Sequence, residues 1–163
     1  MLLTDYTTFD EVRAALGVSD DDIEDVTLEL PLYADTLQIE LEDVHINLPT
    51  TYDTVRALAT PSSDQSRFLQ AAHLFATYAV ARQLTSSLPL FSPEQITDGK
   101  ASMTRPSSNP HQKVTDGVLR EYARFRSRLD QMFSVINASA STVTVTKNYF
   151  GIISPSVDPV TGV

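Results

Sequence analysis

Residues 68–84 read FLQAAHLFATYAVARQL and hold the most apolar helical pattern in the chain. A helix that is apolar on nearly every side is expected at the centre of its domain, and small alanine side chains let neighbouring helices approach closely. We therefore predict a central helix over residues 64–87. Its apolar positions include Phe68, Leu69, Ala72, Phe75, Ala76, Ala79 and Val80. We expect its one polar stripe to face solvent or another subunit: Ser66, Gln70, His73 and Thr77.

Two short helices are predicted near the N-terminus from capping patterns. Thr8 and Glu11 have the spacing of a capping box, which predicts a helix over residues 9–16. Ser19 and the acidic residues after it repeat the pattern, because acidic side chains suit a helix N-terminus. They predict a second helix over residues 20–27.

Two longer helices complete the pattern. Pro31 suits the first turn of a helix, which we extend to about residue 45, with Pro49 closing the segment. The last helix is predicted to begin at Pro110 and to run to about residue 136. Its apolar residues recur in steps of three and four: Val114, Val118, Tyr122, Phe125, Leu129, Met132 or Phe133, and Ile136.

These patterns predict an all-α fold, a small bundle of about four helices with two long antiparallel ones and an extended tail. We place the helical domain at residues 1–137 and a C-terminal arm at residues 138–163. Thr and Val alternate in the arm, so residues 142–150 can form a strand, and a lone strand needs a partner. We predict that the arm binds another protein through Val143, Val145, Tyr149 and Phe150.

Charge is unevenly distributed along the 163 residues, whose net charge is −9. Residues 1–60 hold 14 acidic residues against 2 basic ones, whereas residues 61–137 hold 6 acidic against 9 basic. Two oppositely charged halves can pair with copies of the chain or with a charged partner. The negative total argues against general nucleic-acid binding, which needs concentrated Lys and Arg.

The usual signatures of enzymes and metal sites are missing from the sequence. There is no cysteine, and the three histidines stand in separate segments without HExxH spacing. No G-x-S-x-G elbow occurs, and Gly99-Lys100 lacks the other glycines of a phosphate loop. The acidic run at residues 20–25 lacks the glycine of a calcium loop. We predict no enzymatic activity, no cofactor and no metal site.

Nothing in the sequence indicates a membrane protein or an exported one. No apolar run reaches the roughly 20 residues that a transmembrane helix needs. The N-terminus, MLLTDYTTFDEV, lacks the basic start and apolar centre of a signal peptide. We therefore expect a soluble protein that is not exported.

Three arginines form a ladder on the outer face of the last helix: Arg120, Arg124 and Arg128. The ladder can be a solvated face neutralised by acids, or a contact for nucleic acid, or a contact for the acidic first third of a neighbouring subunit. The third interpretation fits the charge asymmetry best. Three ion pairs within the helix are expected from spacing: Asp116 with Arg120, Glu121 with Arg124, and Asp130 with Arg126.

A polar connector joins the two long helices. It reads ITDGKASMTRPSSNPH over residues 96–111 and contains Lys100 and Arg105. We interpret it as an exposed segment that places these two basic residues against a neighbouring subunit or another protein.

The order of these segments resembles the head–tail connector proteins of tailed bacteriophages, in particular the adaptor or head-completion group. The resemblance covers roughly residues 8–136 and is carried by TTFDEVRAALGVSDDDI, FLQAAHLFATYAVARQL, ITDGKASMTR and VLREYARFRSRLDQMF. It implies a small α-helical virion protein, assembled in the host cytoplasm, that forms a ring, typically of twelve copies, beneath the portal protein. Such a ring extends the DNA channel, through which DNA passes without specific binding.

The resemblance also implies partners on both sides of the ring. The next tail component, a nozzle or stopper protein, docks below it, and the C-terminal arm engages the portal. The alternative is a small helical nucleic-acid-associated or regulatory module that binds through Arg120, Arg124 and Arg128.

Overall fold

The structure is a computed structural model. It describes residues 2–86, 95–98, 101–104 and 110–140, with side chains for residues 2–86 and 111–138. The packed body is helical, as the sequence predicts, but the described residues form six α-helices rather than about four. These are α1 Phe9–Leu16, α2 Asp25–Leu28, α3 Pro31–Val44, α4 Leu48–Arg56, α5 Ser63–Leu84 and α6 Pro110–Ala140, preceded by a 3₁₀ turn at Leu3–Asp5.

Two short strands lie in the connector between α5 and α6. Strands β1 (Gln95–Asp98) and β2 (Ala101–Thr104) pair antiparallel, with Ile96 opposite Met103. The polar sequence of the connector does not predict this pair. The strand that it did predict, over residues 142–150, lies outside the described residues.

α5 is the central helix, as its composition predicts. It begins with a capping box in which the Ser62 hydroxyl accepts a hydrogen bond from the Gln65 backbone N–H. It contacts α1, α3, α4 and α6. Five of its ten buried side chains are alanines, which leave room for close neighbours: Phe68, Ala71, Ala72, Phe75, Ala76, Thr77, Ala79, Val80, Ala81 and Leu84.

α6 packs on α5 through the apolar stripe that its periodicity predicts. The buried or half-buried residues are Val114, Val118, Tyr122, Phe125, Leu129, Met132, Phe133 and Ile136. Ring pairs join the two helices, with centroids 6.3 Å apart for Phe68–Phe133 and 5.4 Å for the stacked Tyr78–Phe125 pair. α6 extends to Ala140, so the first three residues of the predicted arm are helical.

A half-buried ion pair fixes α3 to this helix pair. The Arg82 guanidinium of α5 donates to the Glu40 carboxylate of α3 over 2.5 Å and lies 4.2 Å above the Tyr122 ring of α6. Burial raises the pKa of the Tyr122 hydroxyl, and the Glu40 carboxylate raises it further. One cluster therefore links three helices.

The predicted helix over residues 20–27 is wrong at its start. The chain forms turns there, and α2 begins only at Asp25. The buried Arg13 guanidinium donates to the Ile23 carbonyl over 3.1 Å and to the Asp25 carboxylate over 2.6 Å. The Ile23 carbonyl therefore bonds a side chain of α1 instead of an amide of its own helix.

The role predicted for Pro49 is also wrong. Pro49 lies in the first turn of α4 and so opens a helix instead of closing one. A proline is tolerated there because the N–H that it lacks would have no partner within the helix. α4 buries Leu48, Tyr52 and Val55.

The polar stripe of α5 binds the N-terminal segment, which comprises residues 2–8. The Thr77 hydroxyl lies 2.6 Å from the Thr7 hydroxyl, and both side chains are buried. His73 Nδ1 donates to the Tyr6 carbonyl oxygen over 2.6 Å. At these two positions the expected solvent or subunit contact is replaced by a contact within the chain, whereas Ser66 and Gln70 stay exposed.

Charged groups also hold the N-terminal segment and the start of α1 in place. His73 Nε2 lies 3.0 Å from a Glu11 carboxylate oxygen, and this hydrogen bond, with those from Thr8, holds the pKa of Glu11 below its ordinary value of 4.5. The Leu2 backbone N–H and the Arg56 guanidinium lower the pKa of Asp5 below 3.8. Both carboxylates are therefore bound in their charged form.

We expect Phe75→Ala to destabilise the protein by about 3–5 kcal/mol, because it leaves a cavity against Tyr122 in the centre of the fold. Urea denaturation followed by circular dichroism measures the free energy of unfolding. Leu119→Ala is the control, since Leu119 lies exposed on the outer side of α6. Equal effects of the two changes would contradict the central position of α5.

We expect acid to weaken the attachment of the N-terminal segment. The folded-state pKa of Glu11 is lowered, so its contribution to stability is complete above about pH 4.5 and is lost as the pH falls through the folded pKa. Glu11→Gln should therefore reduce the loss of stability between pH 6 and pH 3, measured by urea denaturation. Glu24→Gln, at an exposed loop position, should leave that loss unchanged.

Candidate functional site

The arginine ladder lies on the outer side of α6, as predicted. Arg120, Arg124 and Arg128 are all exposed, because the opposite side of the helix packs on α5. The ladder is divided between two crevices. Arg120 lines a crevice between α1 and α6, beside Gly17, whereas Arg124 and Arg128 line a larger one between α5 and α6.

The larger crevice is the candidate site, and we call it the arginine groove. Its volume is about 530 Å³, and its lining residues are Arg67, Gln70, Ala71, Leu74, Arg124, Phe125, Ser127, Arg128 and Gln131. Three of them are arginines and none is acidic. Arg67 was not singled out in the sequence, although it is one turn before Ala71 on the side of α5 that faces the groove.

The charges of the groove are only partly compensated. Arg67 lies 3.4 Å from Asp64, and Arg124 lies 3.1 Å from Glu121, but both pairs are exposed and contribute little to stability. Arg128 has no ion pair within the part of the chain that the structure describes. The groove therefore presents a net positive surface.

One of the three ion pairs expected within α6 forms. Glu121 binds Arg124, as its spacing indicates. Neither Asp116 with Arg120 nor Asp130 with Arg126 comes within ion-pair distance among the described side chains. The interpretation of the ladder as a self-neutralised face is weakened accordingly.

The groove combines cationic and apolar groups. The Arg124 guanidinium lies 5.5 Å from the Phe125 ring centroid, and Leu74 and Ala71 supply apolar surface from α5. The amides of Gln70 and Gln131 add hydrogen-bonding groups. Arginine binds carboxylates and phosphates in a bidentate manner, so this surface can bind an anionic partner that also carries apolar side chains.

The other residues predicted to form interfaces lie outside the described residues. They are Lys100 and Arg105 in the connector and Val143, Val145, Tyr149 and Phe150 in the arm. The structure brings together Arg124 and Arg128 from the prediction and adds Arg67.

Within the described ranges, no three or more histidine or acidic side chains meet where a metal ion could be held. None of the helices there has the length and apolar character that crossing a membrane requires.

Comparison with protein-family models, with curated proteins and with solved structures gave no match. The fold and the site together describe a small α-helical protein with a cationic groove suited to an anionic surface.

We expect the double substitution Arg124→Gln/Arg128→Gln to weaken binding of a labelled oligoglutamate peptide by about tenfold or more, since it removes two charged hydrogen-bond donors. Fluorescence anisotropy at low salt measures the affinity. Arg126→Gln is the matched control, because Arg126 lines the crevice on the α3 side of α6. An equal loss in the control would mean that binding follows net charge alone.

Proposed function

We propose that this protein is a structural head–tail adaptor of a tailed bacteriophage. In this proposal it forms a ring beneath the portal protein, extends the DNA channel and docks the next tail component. Its role is structural rather than enzymatic, and its location is the head–tail junction of the virion. The resemblance described above is one support, since the segments that carry it include α1, α5 and the central part of α6.

The observation that carries the proposal is the exposed arginine groove on a chain whose first 60 residues are strongly acidic. A ring of identical subunits needs two different faces on each subunit, because one face of each copy meets another face of the next. Opposite charges on the two faces favour that contact over contact between like faces. Arg128 pairs with no acidic side chain of the described residues, which is consistent with a surface that is completed by a partner.

The path of the chain supports the proposed attachment to the portal. α6 has 31 residues against 22 in α5, and at 1.5 Å per residue it is longer by about 13 Å. Ser134, Asn137 and Ala138 are exposed near its C-terminal end. The order of contacts, Phe68 with Phe133 and Arg82 with Tyr122, supports an antiparallel pairing of the two helices. We propose that the arm continues from this end of α6 to bind the portal.

The net charge of −9 also suits the proposed channel. A negative surface repels the phosphates of DNA, so DNA can pass without being held. We propose that the twelve-membered ring presents acidic residues to the channel and keeps its arginines within subunit contacts.

A second candidate function is supported by the groove itself. Three arginines around an apolar floor are also suited to a nucleic-acid backbone. A helical nucleic-acid-associated module would bind labelled duplex DNA through Arg124 and Arg128, with an affinity that falls steeply as salt rises. Binding of the oligoglutamate peptide without binding of DNA would exclude this candidate.

We expect the full chain to cosediment with a candidate portal protein of a tailed bacteriophage and to add a ring visible by negative-stain electron microscopy. A chain ending at Ala140 should lose this attachment while its circular dichroism spectrum keeps the signal of a helical body. Attachment that survives the truncation would contradict the role of the arm. No attachment by the full chain would contradict the proposed function.

A further inference from the structure

The outer side of α3 carries an apolar stripe that nothing in the described chain covers. Leu37 and Leu41 are buried against the body, whereas Leu32 and Ile39 are 64% and 59% exposed. Ile46, just after the helix, is 68% exposed. These three residues recur every seven positions, which places Leu32 and Ile39 on one side of the helix.

The stripe lies in the part of the sequence where exposed apolar side chains are most frequent. Nine large apolar side chains are exposed among the described residues, and five of them lie between positions 26 and 46. Contiguous apolar surface with a polar rim usually marks a contact with another protein. Scattered single side chains would carry no such meaning.

Carboxylates flank the stripe. Asp35 and Glu42 lie beside Leu32 and Ile39 on the outer side of α3, and Asp43 lies at its edge. Glu42 accepts a hydrogen bond from Gln38 over 2.9 Å. No described cation forms an ion pair with any of the three carboxylates. We call the surface formed by Leu32, Asp35, Ile39, Glu42 and Ile46 the acidic–apolar face.

The arginine groove is complementary to this face in charge, composition and length. It offers Arg124 and Arg128 to carboxylates, and Phe125 and Leu74 to apolar side chains. Asp35 to Glu42 on α3 spans about 10 Å at 1.5 Å per residue, and Arg124 to Gln131, the α6 lining of the groove, spans the same distance. Two helices can therefore pair along this length.

The two surfaces cannot meet within one chain. α3 faces the other side of α6, where Asp43 and Val44 share a crevice with Tyr122 and Arg126. Arg124 and Arg128 lie at the opposite edge of the exposed side of α6, where they border the crevice with α5. A second copy of the chain satisfies both surfaces, and the contact leaves each copy with one face free for the next.

We propose that the acidic–apolar face of one copy docks in the arginine groove of a second copy, with Ile39 on the apolar floor and Asp35 and Glu42 paired with Arg124 and Arg128. This inference rests on the proposed function and identifies the two surfaces that join neighbouring subunits. The contact is heterologous, so repetition produces a ring or a filament instead of a closed pair.

A charge-exchange experiment tests the pairing. One variant carries Arg124→Glu and Arg128→Glu, and the other carries Asp35→Arg and Glu42→Arg. Each variant alone places like charges in contact, so we expect self-association at low salt to weaken by about tenfold or more, measured by sedimentation velocity. An equimolar mixture offers opposite charges at every contact and should regain association. Failure of the mixture to recover would overturn the proposal, as would a wild-type chain that stays monomeric at its highest soluble concentration.

An uncharged pair of variants separates docking from general electrostatics. Ile39→Ser should weaken association while leaving the net charge and the free energy of unfolding unchanged, because Ile39 is exposed. Leu58→Ser, at another exposed apolar position after α4, should leave association unchanged. Equal association of the two variants would overturn the proposed contact.

Cosedimentation of the same variants with the portal protein separates this inference from the proposed function. If the mixed charge-exchanged variants self-associate as proposed but do not bind the portal protein, the adaptor function is contradicted and the proposed subunit contact is not. If each charge-exchange variant alone self-associates as strongly as the wild type and still binds the portal protein, the proposed subunit contact is contradicted and the adaptor function is not.

Discussion

The close packing of α6 on the alanine-rich surface of α5 is the constraint on which the remaining structure depends. Half of the buried side chains of α5 are alanines, and its Phe75, Tyr78 and Phe68 rings contact Tyr122, Phe125 and Phe133 of α6. Once these rings are buried, the spacing of α6 turns Arg124 and Arg128 outward, and the gap between the two helices becomes the arginine groove. The ion pair of Glu40 with Arg82 then fixes α3 beside α6, with its apolar stripe exposed.

The sequence predicts the elements whose signals are local. The capping box at Thr8 predicts the bounds of α1, and the periodicities of α5 and α6 predict theirs to within a few residues. Each of these signals depends on residues only a few positions apart. The predicted start of α2 and the predicted role of Pro49 are wrong, and α4 is not predicted at all. The start of α2 is decided by a distant arginine, Arg13, and a proline such as Pro49 can either end a helix or begin one.

The candidate site was predictable only in part, for the same reason. Spacing alone shows that the arginines of α6 share one face, but their division between two crevices depends on how α1 and α5 pack against that face. The sequence predicts that the polar stripe of α5 faces solvent or another subunit, because no local signal indicates that His73 and Thr77 bind the N-terminal segment. The contribution of Arg67 likewise requires the three-dimensional arrangement.

The central claim is that neighbouring copies join through α3 of one and the arginine groove of the next. Because the chain contains no cysteine, disulfide cross-linking tests it directly. A chain with both Ile39→Cys and Ser127→Cys, oxidised at low salt, should give a ladder of covalent multimers on a non-reducing gel, and each single variant should give none. Dimers from Ile39→Cys alone, or only monomers from the double variant, would contradict the claim.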